Sequence, residues 1–304
     1  EYTALTIPEG VTSIGNYAFH SCTSLTGNLN IPDSVLYIGD FSFSNCNGFT
    51  GKLKIPNSIS TINDNSFSNC YGFTELILHY NIKSINSKAF YGCYGFSGEL
   101  VLPQTLTNIG PYAFSGCKGF VGSLKIPSLI KTIEVGVFSG CSGFTGQLLL
   151  RNVENISEYS FSGCSNLYGE LNLKNVNNLG ASAFSECSRF SQLVLSESIK
   201  QILPNTFFKC SSLQGTLTIH DSVELIGESA FFMCNGFAGH LILPKNDHIV
   251  IEKLAFYRCE YFSGELELPE SIEEISDYSF YHCIGFEGSL VIPDKVKSIG
   301  KYAF

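Results

Sequence analysis

Residues 53–73 read LKIPNSISTINDNSFSNCYGF, and the spacing of their apolar residues recurs from one end of the chain to the other. Leu53 and Ile55 flank Lys54 with the period of two that marks a strand, and Pro56, which has no N–H to give a ladder, closes it. Ile59 and Ile62 follow, then Phe67, Cys70 and Phe73 at a spacing of three. That spacing predicts one face of a single helical turn.

The twelve cysteines stand at 22, 46, 70, 93, 117, 141, 164, 187, 210, 234, 259 and 283, separated by 23–25 residues. A Phe precedes every one of them by three residues, from Phe19 to Phe280, and a thirteenth ends the chain at Phe304. Leu or Phe follows each Cys by three, from Leu25 to Phe286. Thirteen Leu-x-Ile-like segments begin at Leu5, Leu29, Leu53, Leu76, Leu100, Leu124, Leu148, Leu171, Leu193, Leu217, Leu241, Leu266 and Leu290. Changes of length fall between these positions: the coil after Cys70 lacks the Gly between Phe73 and Leu76, and the coil after Cys187 repeats the omission. A unit of about 24 residues cannot bury its own apolar face, whereas stacked units share a continuous core. The expectation is an α/β solenoid over residues 1–304, a single domain of 13 coils of 23–25 residues. It would form a right-handed curved stack, with a parallel β-sheet on the concave face and short helical turns on the convex side. Gly in the G-F-x-G corner is expected to supply backbone angles closed to other residues.

Composition narrows the function. The chain has 44% hydrophobic residues against 15% charged, and a net charge of −9, a balance that argues against nucleic acid as partner. No apolar run approaches the roughly 18 residues of a membrane span. The chain opens at Glu1 without a Met, so it reads as an excised piece, and an array truncated at both ends is expected. Neither end carries a polar cap, so self-association through end coils is a further expectation.

Repeats of 20–29 residues with one strand each are the mark of leucine-rich repeats. The form here, L-x-I-P-x-S-V then I-G-x-x-A-F with Cys three residues on, resembles the Treponema-type, or BspA-like, subclass over essentially the whole chain. The corners Gly48-Phe49-Thr50-Gly51 and Gly143-Phe144-Thr145-Gly146 resemble a variant found in surface proteins of trichomonad parasites. The resemblance implies a cell-surface or secreted protein that adheres to host cells, matrix proteins or other microbes, and it carries over no catalytic residue.

The cysteines are the most tempting chemistry. No C-x-x-C pair exists, and one Cys per coil does not build the four-ligand cluster that zinc prefers. Stacking could bring Cys46 and Cys70 within disulfide reach, but a Cys repeated among apolar residues behaves as a small buried hydrophobe. Free, buried thiols are expected. Six His are scattered over distant coils, and no G-x-S-x-G, H-E-x-x-H, G-x-G-x-x-G or phosphate loop occurs. Catalytic residues, metal ligands and cofactors are therefore all read as none, and the chain is not read as an enzyme. Asn155-Ile156-Ser157 fits a glycosylation acceptor, with Asn155 outward of the core residue Ile156.

Partner binding should then come from outward side chains on an invariant frame. The residue after each repeated Phe is usually Ser, yet in four consecutive coils it becomes Phe208, Phe232, Tyr257 and Tyr281, a predicted aromatic row. Tyr71, Tyr91 and Tyr94 form a second group in two adjacent coils. Aromatic residues are enriched at contact surfaces, although such rows can also serve only to cover a core. The partner is expected to be a protein or another cell-surface ligand; the alternative is a coat or filament built by end-to-end assembly.

Overall fold

Most coils carry two short parallel strands where the sequence predicts one. In the computed structural model, which describes residues 2–304, the chain divides into two compact units, one ending at Asn152 and the other running from Val153 to Phe304. Both are parallel-sheet solenoids.

The more regular column is the one the sequence hides, at the residue pair that ends in the Ile before the Gly. In the N-terminal unit Ser13–Ile14 pairs with Tyr37–Ile38, and Thr61–Ile62, Ser84–Ile85 and Asn108–Ile109 pair in succession. In the C-terminal unit Asn155–Ile156 pairs with Asn178–Leu179, Gln201–Ile202 with Leu225–Ile226 and then Val250–Ile251, and Glu274–Ile275 with Ser298–Ile299.

The predicted Leu-x-Ile column is interrupted. Leu53 pairs with Leu76, Leu124 with Leu148, Leu171 with Leu193 and Leu217 with Leu241. Segments at Leu5, Leu266 and Leu290 form no strand. Proline explains much of this pattern. Within either unit, no two successive coils that both carry Pro after the Ile or Leu pair through this segment: 5/29, 29/53, 100/124, 241/266 and 266/290 all fail to. Pro confines the residue before it to extended or polyproline angles and gives no N–H, so two in register stop the ladder. Missing glycines are absorbed locally instead. Register shifts after Gly51 and after Gly169 face the two coils that lack a Gly, and a bulge takes up the difference.

The expected helical turns are not formed; no α-helix occurs among the described residues. The Phe–Cys stretch is a ribbon of β-turns whose N–H groups alternate in direction. Ala18, His20 and Cys22 donate to the residue three back, while Tyr17, Phe19 and Ser21 donate to Asp40, Ser42 and Ser44 of the next coil at 2.7–2.9 Å. Half the donors a helix would use are thus spent between coils. The turns need a left-handed residue every fourth position, such as Tyr17 (φ 59°) and Ser21 (φ 58°), or Lys88 (φ 54°) and Gly92 (φ 70°).

Inside the coils the ladders are continuous within each unit. Phe19, Phe43, Phe67, Phe90, Phe114 and Phe138 stack with ring centroids 5.1–5.9 Å apart. In the C-terminal unit Phe161, Phe184, Phe207, Phe231, Phe256, Phe280 and Phe304 do the same at 5.3–6.0 Å. A second column, Phe49 to Phe144, meets the first edge to face, as in Phe43 against Phe49 at 71°. The cysteines are free, ten of them buried, and they do more than fill space. Ten thiols donate to the Phe carbonyl of the coil before them, among them Cys46 to Phe19 at 2.8 Å, Cys93 to Phe67 at 3.0 Å and Cys210 to Phe184 at 3.2 Å. That same carbonyl accepts the N–H of its own coil's Cys, as Phe67 does from Cys70 at 3.3 Å. The repeated Cys is therefore a hydrophobe with one donor aimed between coils.

The corner glycines divide by role. Gly51 and Gly98 have φ of +71° and +78°, as expected of such a turn. The glycine just before the second Phe is different. At Gly119 no left-handed angle is needed, but an added Cβ would lie 2.1 Å from the carbonyl oxygen of Phe96 in the coil beneath. Its hydrogen lets two backbones close up. Gly119→Ala should therefore lower stability by about 1–3 kcal/mol through overpacking. An unchanged urea midpoint would show that the coils can separate there without cost.

Candidate functional site

Much of the backbone is bonded from coil to coil, so the surface for recognition is chiefly the set of side chains the frame holds outward. The residue after each core Phe lies on the turn ribbon, where inter-coil bonds such as Glu186 N–H to Phe208 O (2.7 Å) and Lys209 N–H to Phe232 O (2.7 Å) fix adjacent coils in register. Phe208, Phe232, Tyr257 and Tyr281 consequently stack in order, with centroids 4.9, 4.6 and 5.2 Å apart and planes within 20° of parallel. The row exists. Its rings are only partly exposed, however, because each covers its neighbour's face, and what they offer outward is edges.

The row is also longer than the sequence indicates. Tyr278 packs edge-on against Tyr281 at 5.7 Å and stacks on Tyr302 at 5.3 Å. Both occupy the left-handed position five residues before the Cys column or its equivalent, a column not singled out by hydrophobic spacing. Cations border the row: the Lys209 ammonium lies 5.0 Å from the Phe208 ring centre, and that of Lys301 lies 5.4 Å from the Tyr302 ring centre.

The second group is split. Tyr71 and Tyr94 follow their cysteines directly and stack at 4.7 Å with planes 8° apart, with Asn47 of the preceding coil donating to the Tyr71 hydroxyl. Tyr91 follows Phe90 and lies in the other column, so the structure does not bring it into this stack. Tyr71 and Tyr94 are 37% and 53% exposed, in contrast to the interior rings, which are nearly all fully buried. Asn155 sits on the strand Asn155–Ile156 with its Oδ1 accepting from the Asn178 amide at 2.7 Å, so a glycan there would have to coexist with that bond.

On the strand side the outward residues carry mixed charge, with Lys52 and Glu75 bridging neighbouring coils at 2.9 Å. Both are well exposed, so the pair contributes little stability. Among the described residues no cluster of three His, Cys, Asp or Glu side chains is placed to hold a metal ion. Burial pushes the thiols of Cys93, Cys141 and Cys210 up to about 12, far from the range of a working nucleophile.

Parallel-sheet coils of 23–25 residues, each anchored by a Leu-x-Ile segment and a buried Phe–Cys pair, define a leucine-rich-repeat protein. The chain belongs to the BspA-type leucine-rich-repeat family, whose six-copy model matches residues 1–121, 119–238 and 238–304. Among solved structures, a leucine-rich repeat protein from Bacteroides ovatus is 26% identical, with 98% of this chain and 83% of that one covered and a TM-score of 0.57. A leucine-rich cell surface protein from Faecalibacterium prausnitzii is 20% identical over 99% of this chain and 88% of that one, with a TM-score of 0.51. One from Eubacterium ventriosum is 16% identical over 99% and 82%, with a TM-score of 0.55. Among curated proteins no sequence match is found. Leucine-rich-repeat proteins of this kind are typically non-catalytic scaffolds that bind proteins or other ligands. No helix among the described residues is long and apolar enough to cross a membrane.

Proposed function

We propose that the chain is a non-catalytic binding scaffold, displayed at a cell surface or secreted, that adheres to a protein or other cell-surface ligand of a host cell, matrix or neighbouring microbe. The observation that carries this reading is the Tyr71–Tyr94 stack, two large rings held outward in register on a frame that buries most of its phenylalanine columns. Aromatic anchors of that kind, rigid and amphipathic, are common energetic centres of protein interfaces. The Phe208–Tyr281 row is the second contact surface, offering ring edges and two tyrosine hydroxyls. The membership in a family of typically non-catalytic scaffolds supports the same reading.

The test is flow cytometry of the fluorescently labelled chain on cultured epithelial cells. The parent should bind saturably, and Tyr71→Ser/Tyr94→Ser should bind at least about tenfold more weakly, the loss expected of a central aromatic pair. A Phe208→Ser/Phe232→Ser/Tyr257→Ser/Tyr281→Ser variant, checked for an unchanged circular dichroism spectrum, reports on the row. A parent that binds no cells, or two variants that bind as it does, would overturn the reading.

A further inference from the structure

We propose that a groove on the strand side of the C-terminal unit seats a basic peptide segment carrying aliphatic side chains. This rests on the binding-scaffold reading but uses a surface of its own. The groove has a volume of about 730 Å³ and originates in the sequence. Three successive coils carry Pro244, Pro269 and Pro293, and all three line it. The ladder that joins Leu217 to Leu241 stops there: among the described residues no strand pairing links Leu241 to Leu266 or Leu266 to Leu290. Where the ladder opens, the coils leave a hollow in place of a flat sheet.

The walls state what should fill it. Ile242, Glu267 and Val291 hold the same outward position in the three coils, and the two aliphatic residues are 45% and 70% exposed. Around them stand Asp247, Glu265 and Glu270, which with Glu267 make four carboxylates. Only two ammonium groups oppose them, Lys245 and Lys295, and Lys245 lies 3.5 Å from Glu267. A groove with apolar flanks and surplus negative charge is complementary to a chain that brings cations and aliphatic groups together within a few residues. The exposed Lys245–Glu267 pair is weak enough to be exchanged for a ligand cation.

Fluorescence polarisation with a labelled nine-residue peptide of Lys-Lys-Leu repeats tests this on the whole chain. It should bind saturably, with affinity falling as salt rises, while a Glu-Glu-Leu repeat should not bind. Glu265→Lys/Glu267→Lys should weaken binding at least tenfold. Glu99→Lys/Glu197→Lys, with the same change of net charge at distant exposed positions, should leave it within about twofold. Ile242→Ser/Val291→Ser keeps every charge and should cost several-fold. Absence of binding by the basic peptide, equal binding of the acidic one, or equal losses from the two charge-reversed variants would each overturn the proposal. The outcome is separable from the cell assay: cell binding that survives Glu265→Lys/Glu267→Lys, together with peptide binding that does not depend on those residues, removes the groove and leaves the scaffold reading standing.

Discussion

Phe114→Ala should destabilise the N-terminal unit by about 3–5 kcal/mol, the cost of emptying a fully packed aromatic site. Phe114 is completely buried, stacked on Phe90 at 5.4 Å and on Phe138 at 5.7 Å, with Phe120 edge-on at 6.4 Å. The coils above and below are tied to this one by turn-ribbon bonds, Phe90 N–H to Ala113 O and Phe114 N–H to Val137 O, which hinder collapse into the gap. The loss should therefore fall at the upper end for an aromatic deletion. Urea denaturation of parent and variant measures it. A loss below about 1 kcal/mol would mean that neighbouring coils relax freely and that the ring column does not carry the stack.

The second large effect is with pH. Burial raises the thiols of Cys93, Cys141 and Cys210 from 9.0 to about 12, and each also spends its proton on a carbonyl of the preceding coil. The unfolded thiol gives up its proton near 9, whereas the folded one keeps it, so the folded state binds more protons through the interval. Stability is thus complete below pH 9 and declines as pH rises toward 12, by roughly 1.4 kcal/mol per unit for every such thiol. At pH 11 that amounts to about 2–3 kcal/mol for each of the three. Urea midpoints taken between pH 7 and 11 should fall steeply above 9, and Cys93→Ala/Cys141→Ala/Cys210→Ala should flatten the fall while lowering the plateau. An equal slope in both proteins would assign the alkaline loss to other groups.

The core of this molecule was legible because a repeat announces its interior many times over. Leu53, Ile55, Ile59, Ile62, Phe67, Cys70 and Phe73 are all buried, as their spacing predicts. The turn ribbon was misread for a physical reason: residues three apart share a face in a helix and in successive β-turns alike. The discriminating signal lay one residue away. Asn45, Asn69, Gly92, Gly116, Gly140 and Gly163 stand directly before their cysteines, and Asn and Gly are the residues that best tolerate the left-handed angles found there. The second strand column escaped because pairs such as Thr61–Ile62 are too short to show alternation. The aromatic row followed from coil register and was placed correctly, but its half-burial and the separation of Tyr91 from the Tyr71–Tyr94 stack depend on ring orientation, which spacing does not encode. The groove was hidden differently. Its residues are ordinary, and only the opening of the ladder at Pro244, Pro269 and Pro293 makes a surface of them.

Thiol titration is the most direct measurement of the claim that Phe and Cys line up rung above rung inside the coils. With the chain unreduced, an aromatic disulfide reagent should react quickly with at most Cys22 and Cys283, the two partly exposed thiols, while the other ten wait for unfolding. In denaturant all twelve should react. Rapid modification of most thiols in the native protein, or a clear shortfall from twelve after denaturation, would contradict a column of free thiols held between coils.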